Sequence, residues 1–291
     1  MSEMKPLAVL AGSGGLPRRV VSAVRQQGRE IYIGRLEGDA LPKNAAPFQS
    51  PSDIPSFSLS ALGDLPKFCD WLSKHNVGEV CLVGGVRKPA VRELLQPRNI
   101  FILRRAARAA KVGKTRARMI TMNDSALLNL ARGYFVSRGI ALVSPQDFLP
   151  DLLADAGALG QHAPSAADRA DIKKGAQILQ TLAAADLGQG VVVSAGLVLG
   201  VEAAPGTDAL LAQIAALNEG GGVLVKGARP NQDMRLDLPS IGPQTIEAAA
   251  RAGLKGVALE AGASLLLERE RVVARADEAG LFVYGWSRST L

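Results

Sequence analysis

The sequence predicts an α/β protein built as two domains, and three observations carry that reading. Short apolar runs alternate with helix-length amphipathic stretches through the first half, the βαβ rhythm of a parallel sheet covered on both faces. A glycine-rich turn, Gly12-Ser13-Gly14-Gly15, follows the first apolar run directly. A stretch of prolines and small residues near 145–165 then separates a second set of strand and helix signals from the first. The expectation is a doubly wound, Rossmann-like N-terminal domain over 1–144 and a linker over 145–165. A second α/β domain with a mixed sheet follows over 166–291, with a ligand cleft between the two domains.

Leu7–Leu10 reads as the first strand, and a helix pattern follows the glycines to about Gly28. Ile31–Ile33 reads as the second strand. Pro42, Pro47, Pro51 and Pro55 punctuate a loop, after which Leu62–Lys74 has helical spacing. Val80–Val83 is a third strand ending at Gly84-Gly85, helices are expected over 99–111 and 124–137, and Ile140–Val143 reads as a last strand. In the second half, Ser165 with Asp168 forms a capping-box pattern that opens a helix to about Ala185. Strands are expected at Val191–Leu199, Val223–Val225, Val257–Glu260, Ser264–Leu267 and Leu281–Tyr284, with helices over 207–217 and 243–252.

At 291 residues, 47% of them hydrophobic, the chain is long enough for two cores. Only 4% is aromatic, and the abundance of alanine, glycine and leucine suits helix-on-sheet packing. No run of about 18 apolar residues predicts a membrane span, and the N-terminus reads as a strand and not as a secretory signal. Cys69 and Cys81 lack ligand spacing, so a reducing, cytoplasmic setting is expected. The net charge of +7 is local: between Glu93 and Asp124 there is no acid, while Arg98, Arg104, Arg105, Arg108, Lys111, Lys114, Arg116 and Arg118 supply eight cations. The 26 cations that remain nearly balance the 27 acids. Such a patch suits phosphates, nucleic acid or an anionic membrane surface, or is a solvated helix face.

Five segments are candidates for chemistry. The turn Gly12, Ser13, Gly14, Gly15 before a helix can present N–H groups to a phosphate, or be a tight turn alone. The third glycine of the dinucleotide fingerprint is replaced by Pro17, which disfavours nicotinamide binding. Gly84, Gly85, Arg87 and Lys88 lie at a strand's carboxyl end and fit a phosphate cradle, although basic loops occur there without ligands. The densest cluster is Lys226, Arg229, Gln232, Asp233, Arg235 and Asp237, which places hard oxygen ligands among anion-binding cations. Mg²⁺ prefers one or two carboxylates completed by water and substrate phosphates, and phosphoryl transfer needs mainly positioning and charge neutralisation. A salt-bridged surface loop is the plain alternative. Glu202 and Thr207 sit between a strand and a helix, where Thr207 is a credible N-cap and Glu202 could reach the same metal or water. Asp124 opens the helix over 124–137, as a cap or as a substrate contact.

Absences narrow the chemistry. His75 and His162 have no zinc spacing and no nucleophile-elbow sequence accompanies them. The Gly-x-x-x-x-Gly-Lys-Ser/Thr loop is missing, which removes ATP hydrolysis of that kind.

Taken in order, Ala11-Gly12-Ser13-Gly14-Gly15-Leu16-Pro17, Gly85-Val86-Arg87-Lys88-Pro89, Glu202…Pro205-Gly206-Thr207-Asp208 and Gln232-Asp233-Met234-Arg235-Leu236-Asp237-Leu238-Pro239-Ser240-Ile241-Gly242 resemble the LpxI-type UDP-2,3-diacylglucosamine pyrophosphatases of lipid A biosynthesis. The resemblance spans essentially the whole chain, and its last block is the most specific. It implies a two-domain, Mg²⁺-dependent hydrolase yielding UMP and 2,3-diacylglucosamine 1-phosphate, with the lipid held between a Rossmann-like domain and a second one. It also implies attack on the sugar-side phosphorus and makes Asp233 the essential acid. The family commonly has a second acid where this chain has Asn123, a departure that puts a metal role for the following helix in doubt.

The combined expectation is as follows. Asp233 binds Mg²⁺ or orients water, with Asp237 and Glu202 as further metal ligands. Lys226, Arg229 and Arg235 neutralise charge. Gly12–Gly15, Gly85, Arg87, Lys88, Asp124, Thr207 and Gln232 contact a lipid-linked sugar nucleotide. Residues 98–118, with the apolar start Ile100-Phe101-Ile102-Leu103, would touch substrate phosphate or the cytoplasmic face of the inner membrane. A homodimer is a further implication of the family for which no residue here argues. The rivals are another sugar-nucleotide enzyme, a transferase or oxidoreductase, and a basic nucleic-acid-binding protein. The low aromatic content counts against the latter, and no nucleic-acid partner is expected.

Overall fold

The computed structural model describes residues 5–41, 45–86, 100, 132–183, 188–203, 205–217, 220–229 and 238–289. The chain divides into two compact units, Met1–Leu149 and Pro150–Leu291.

In the first unit, five strands form one parallel sheet: β1 (Leu7–Ala11), β2 (Ile31–Leu36), β3 (Ser56–Leu59), β4 (Glu79–Val83) and β5 (Ala141–Val143), in the order β3-β2-β1-β4-β5. All four neighbouring pairs are parallel. The helix α1 (Leu16–Gln26) follows the glycine turn. Its Pro17, Val20, Val21 and Val24 recur at helical spacing and are buried. They pack on Leu7, Val9, Ala11, Ile31 and Ile33, each fully buried valine contributing roughly 1.5–3 kcal/mol relative to exposure. The helix α2 (Leu65–Lys74) covers the opposite face. There Tyr32, Phe57, Phe68, Trp71 and Phe135 form an aromatic cluster with ring centroids 5.5–6.5 Å apart. Gly34 makes room for this cluster, since a Cβ there would stand 2.7 Å from Phe68. Residues 132–137 are helical. The rest of the helices expected over 99–111 and 124–137, and the basic cluster of 98–118 apart from Ile100, lie outside the described residues.

The second unit has a six-stranded sheet. Its strands are β6 (Gly157–Ala158), β7 (Gly190–Ser194), β8 (Leu197–Val201), β9 (Val223–Lys226), β11 (Gly256–Glu260) and β13 (Phe282–Trp286), ordered β6-β13-β11-β9-β7-β8. The three strands β9, β11 and β13 are parallel, and β6, β7 and β8 pair antiparallel, so the sheet is mixed. A short parallel pair, β10 (Ser240–Ile241) and β12 (Leu265–Leu266), stands apart. One face is covered by α3 (Ala166–Ala183), which packs Ile172, Ala176 and Leu179 against Val191, Val193, Val223 and Val225. Gly175 permits the close approach, because a Cβ there would lie 2.6 Å from Val225. The other face carries α4 (Thr207–Leu217), α5 (Pro243–Arg251) and α6 (Arg269–Glu278), with Leu211, Ile246 and Val272 buried over Leu224, Val257 and Leu259. At the head of α3 the Ser165 N–H bonds Asp168 Oδ2 at 2.9 Å and the Asp168 N–H bonds Ser165 Oγ at 3.2 Å, the reciprocal pair of a capping box.

Two expectations are corrected. The run 191–199 is a hairpin of two strands, because Ala195 and Gly196 adopt positive φ (47° and 77°) and reverse the chain. The interval 145–165 is not a free linker. Phe148 and Leu149 pack on the first core, whereas Leu152 and Ala154 are buried in the second unit and Gly157–Ala158 extends its sheet.

Candidate functional site

In the first unit the two glycine turns meet. β1 and β4 are neighbours, and beyond their last paired residues the Ser13 N–H bonds the Gly85 carbonyl at 3.0 Å and the Gly85 N–H bonds that of Ser13 at 2.9 Å. The Gly12 N–H bonds the Val83 carbonyl at 2.8 Å. Side chains are excluded at this crossing: a Cβ on Gly12 would run into the Gly85 carbonyl, and Gly84, at φ 90°, lies against Ser13 and Pro17. The backbone donors of Gly12, Ser13 and Gly85 are therefore spent on each other. Gly14 and Gly15 are exposed, and their N–H groups have no partner among the described residues. They open α1, so the donors left for an anion lie at 14–15 and in the first helical turn.

In the second unit the strand β9 ends at Lys226, whose side chain is almost fully buried. Its Nζ donates to Thr207 Oγ1 at 2.5 Å and lies 3.3 Å from Glu202 Oε2. Glu202 follows β8, where its N–H bonds the Gly190 carbonyl at 2.8 Å. The missing side chain of Gly190 gives the carboxylate its place, since a Cβ there would stand 2.6 Å from Glu202 Oε2. The expected N-cap role of Thr207 is corrected: Thr207 is the first residue of α4, the Gly206 carbonyl accepts the first helical bond from the Leu210 N–H at 3.2 Å, and the Thr207 hydroxyl accepts from Lys226 instead. Residues from two separated segments, 202–207 and the end of β9, thus converge there.

Sequence reasoning missed a second brace at the same strand end. Glu260, the last residue of β11, is buried and accepts the Ala228 N–H at 2.8 Å. Arg288 clasps both, donating from Nε to Glu260 Oε1 at 2.5 Å and from Nη2 to the Ala228 carbonyl at 3.0 Å. Trp286 Nε1 donates to the Lys226 carbonyl at 3.2 Å, and Gly227 leaves room for the indole. The one sequence signal was an acid closing an apolar strand, a charge that must be paired once buried. Residues 226–228 are thereby gripped from both sides just ahead of the 230–237 segment.

Of the expected site residues, Gly12, Ser13 and Gly85 meet in the first unit, with Gly14 and Gly15 exposed next to them in the same turn, and Glu202, Thr207 and Lys226 meet in the second. Arg229 is half-buried directly after the braced strand exit. Arg87, Lys88, Asp124, Gln232, Asp233, Arg235 and Asp237 lie outside the described residues. Among the described residues no three His, Cys, Asp or Glu side chains form a metal-binding group. Glu202 alone of the expected ligands is described, and it already faces an ammonium. Cys81 is inert by environment, burial pushing its thiol pKa far up.

The fold and these sites define a two-unit α/β protein, one unit a parallel doubly wound sheet with an open glycine turn, the other a mixed sheet with a buried lysine–carboxylate pair at a strand end. The family models for the LpxI N-terminal domain and the LpxI C-terminal domain match residues 6–152 and 155–284, and the chain belongs to the LpxI family. A Caulobacter vibrioides protein named UDP-2,3-diacylglucosamine pyrophosphatase LpxI is 35% identical over 291 residues, covering 97% of this chain and 98% of that protein. The chain is accordingly an enzyme of the hydrolase class. Among solved structures, a Thermus thermophilus UDP-glucose 4-epimerase complexed with NAD overlaps with a TM-score of 0.29 at 14% identity, covering 97% of this chain and 86% of that one. A Thermotoga maritima UDP-glucose 4-epimerase with UDP-glucose overlaps with a TM-score of 0.24 at 13% identity, covering 55% and 41%. Those overlaps are too slight to bear on ligand or reaction.

Proposed function

We propose that this chain hydrolyses the diphosphate bond of UDP-2,3-diacylglucosamine, releasing UMP and 2,3-diacylglucosamine 1-phosphate, in lipid A biosynthesis. The near-full-length identity to the Caulobacter vibrioides pyrophosphatase carries the reading. Two local features support it: an open glycine turn suited to a nucleotide phosphate, and a charged strand end leading into the segment that holds Asp233 and Asp237.

In the proposed reaction a water oxygen bonds the sugar-side phosphorus as the bridging P–O bond breaks, and UMP leaves with the bridging oxygen. Asp233 orients the water and takes its proton. Lys226 is held by Glu202 and Thr207 with its charge out of bulk water, where an ammonium acts on phosphate oxygens more strongly than at the surface. Arg229 and Arg235 add positive charge to the same segment. Mg²⁺, held by Asp233, Asp237 or Glu202, would supply charge neutralisation on the diphosphate; a set of one or two carboxylates suits that ion. The Gly14–Gly15 N–H groups receive a nucleotide phosphate, with Arg87, Lys88, Asp124, Thr207 and Gln232 as further substrate contacts. The basic segment 98–118 meets the anionic cytoplasmic face of the inner membrane, where a diacylated substrate resides.

The test is direct. Purified protein with UDP-2,3-diacylglucosamine and Mg²⁺ should release UMP, chelation should stop it, and Asp233→Ala should abolish it while leaving the protein folded. Near-normal turnover by the variant would remove Asp233 from the mechanism, and no UMP from the wild type would sink the activity.

A further inference from the structure

We propose that Glu37, held in place by Ser58 and Arg35, receives the ribose hydroxyls of the nucleotide whose phosphate the glycine turn holds; this rests on the nucleotide reading above. Three strands bring the residues together. Arg35 pairs in register with Ala11 of β1 on one side and with Ser58 of β3 on the other. Neighbouring strands are roughly 4.8 Å apart, and Ala11 leads straight into Gly12, so Arg35 lies one strand from the base of the turn.

The face is fixed by alternation. Ile33 packs on the α1 side with Val20, Val21 and Val24, so Arg35 and Glu37, two and four residues on, lie on that side as well. The backbone supports the count, because Glu37 is extended at φ −137° and its N–H bonds the Leu59 carbonyl at 2.9 Å. This is the side on which the turn enters α1, beyond the carboxyl ends of the strands, where doubly wound sheets bind nucleotides.

The cluster is arranged to present an acceptor. Ser58 Oγ donates to Glu37 Oε1 at 2.9 Å, Arg35 Nη2 lies 3.2 Å from the same oxygen, and Arg35 Nη2 donates to Ser58 at 2.8 Å. Both contacts to the carboxylate fall on Oε1, so Glu37 Oε2 has no partner among the described residues, and the side chain is one-third exposed. Arg35 Nε is buried and also lacks a partner there. An acid about 20 residues past a glycine turn, at the end of the second strand, is placed to accept hydroxyls of a ribose whose phosphate sits on the helix N-terminus.

Binding of UMP and of 2′-deoxy-UMP to the full-length protein by titration calorimetry tests the assignment. The wild type should favour UMP by about tenfold, the weight of a hydrogen bond to a charged acceptor. Glu37→Ala should remove that preference by weakening UMP alone, and Ser58→Ala, which loosens the carboxylate, should reduce it. Equal affinity of the wild type for both nucleotides, or an undiminished preference in Glu37→Ala, would overturn the proposal. The two readings fail separately. UMP release from the lipid substrate with ribose-blind binding sinks the subsite alone. Ribose preference lost in Glu37→Ala, with no hydrolysis by the wild type, keeps the subsite and sinks the activity.

Discussion

Lys226 Nζ lies 3.3 Å from Glu202 Oε2, with both side chains largely removed from water. The pair joins the end of β9 to the residue that follows β8, the second strand of the hairpin, and Thr207 completes the ammonium's surroundings. Breaking such a pair from one side leaves the other charge buried and uncompensated. Lys226→Met should therefore cost about 3 kcal/mol, measured from urea midpoints. Glu202→Gln keeps an acceptor facing Lys226 but leaves its ammonium buried without a counter-charge, so it should cost a similar amount. A cost below about 1 kcal/mol would mean that the acceptor alone, and not the opposite charge, holds the lysine.

Gly190 offers a way to move Glu202 without deleting it. An added methyl would stand 2.6 Å from Oε2, at the far end of a flexible side chain, so the strand should tolerate it at a cost of about 1 kcal/mol. If the pair supports the reaction, Gly190→Ala should stay folded and lose turnover on the order of 10²-fold, as displaced catalytic groups do. Wild-type turnover in this variant would make the pair purely structural.

The glycines of the first turn should separate by position. At Gly12 the obstacle is the Gly85 carbonyl, which is backbone and cannot rotate away. Gly12→Ala should cost at least about 3 kcal/mol by forcing the two turns apart. Gly15 sits at an ordinary φ of −83° with open space around it, so Gly15→Ala should stay within about 0.5 kcal/mol of wild type. Thermal melts of the two variants check the contrast.

What the sequence revealed was what local rules control. The glycine turn, the Ser165–Asp168 box and the apolar strands of the parallel core stood out because composition and spacing over a few residues dictate them. β3 was hidden: its Ser-Phe-Ser-Leu run follows a string of prolines and buries only Leu59. The hairpin at 195–196 was hidden because Ala195 takes a left-handed conformation that its identity does not announce. α6 was missed because its charged sequence buries only Val272 and Ala276. The joining of Gly12–Ser13 to Gly85 and of Lys226 to Glu202 depends on strand order, which no short window encodes.

The grip on the exit of β9 should be measurable at Glu260. Its carboxylate is buried and serves both the Ala228 N–H and Arg288. Glu260→Gln keeps the shape and one acceptor but loses the charge-assisted bond, so a loss of about 2 kcal/mol is expected. Because the strand exit leads to the Asp233 segment, kcat should fall with KM little changed. A pure stability loss with an unchanged kcat at low temperature would confine Glu260 to the fold.

Asp168 should give the C-terminal unit an acid-side dependence of stability. Burial opposes its ionisation and is the largest single influence, but the Ser165 hydroxyl and N–H together with the Lys255 ammonium outweigh it and hold its pKa below the usual value. A carboxyl depressed in the folded state contributes stability that is fully present above its unfolded pKa, about 3.9, and is lost as pH falls through the folded pKa. Lys255 is more than half exposed, so the capping bonds from Ser165 carry most of the effect. Urea midpoints of wild type and Asp168→Asn should differ most at pH 7 and converge as pH drops below about 4, where the wild-type carboxyl takes up its proton. A gap that stays constant down to pH 3 would assign the loss to cap geometry and not to charge.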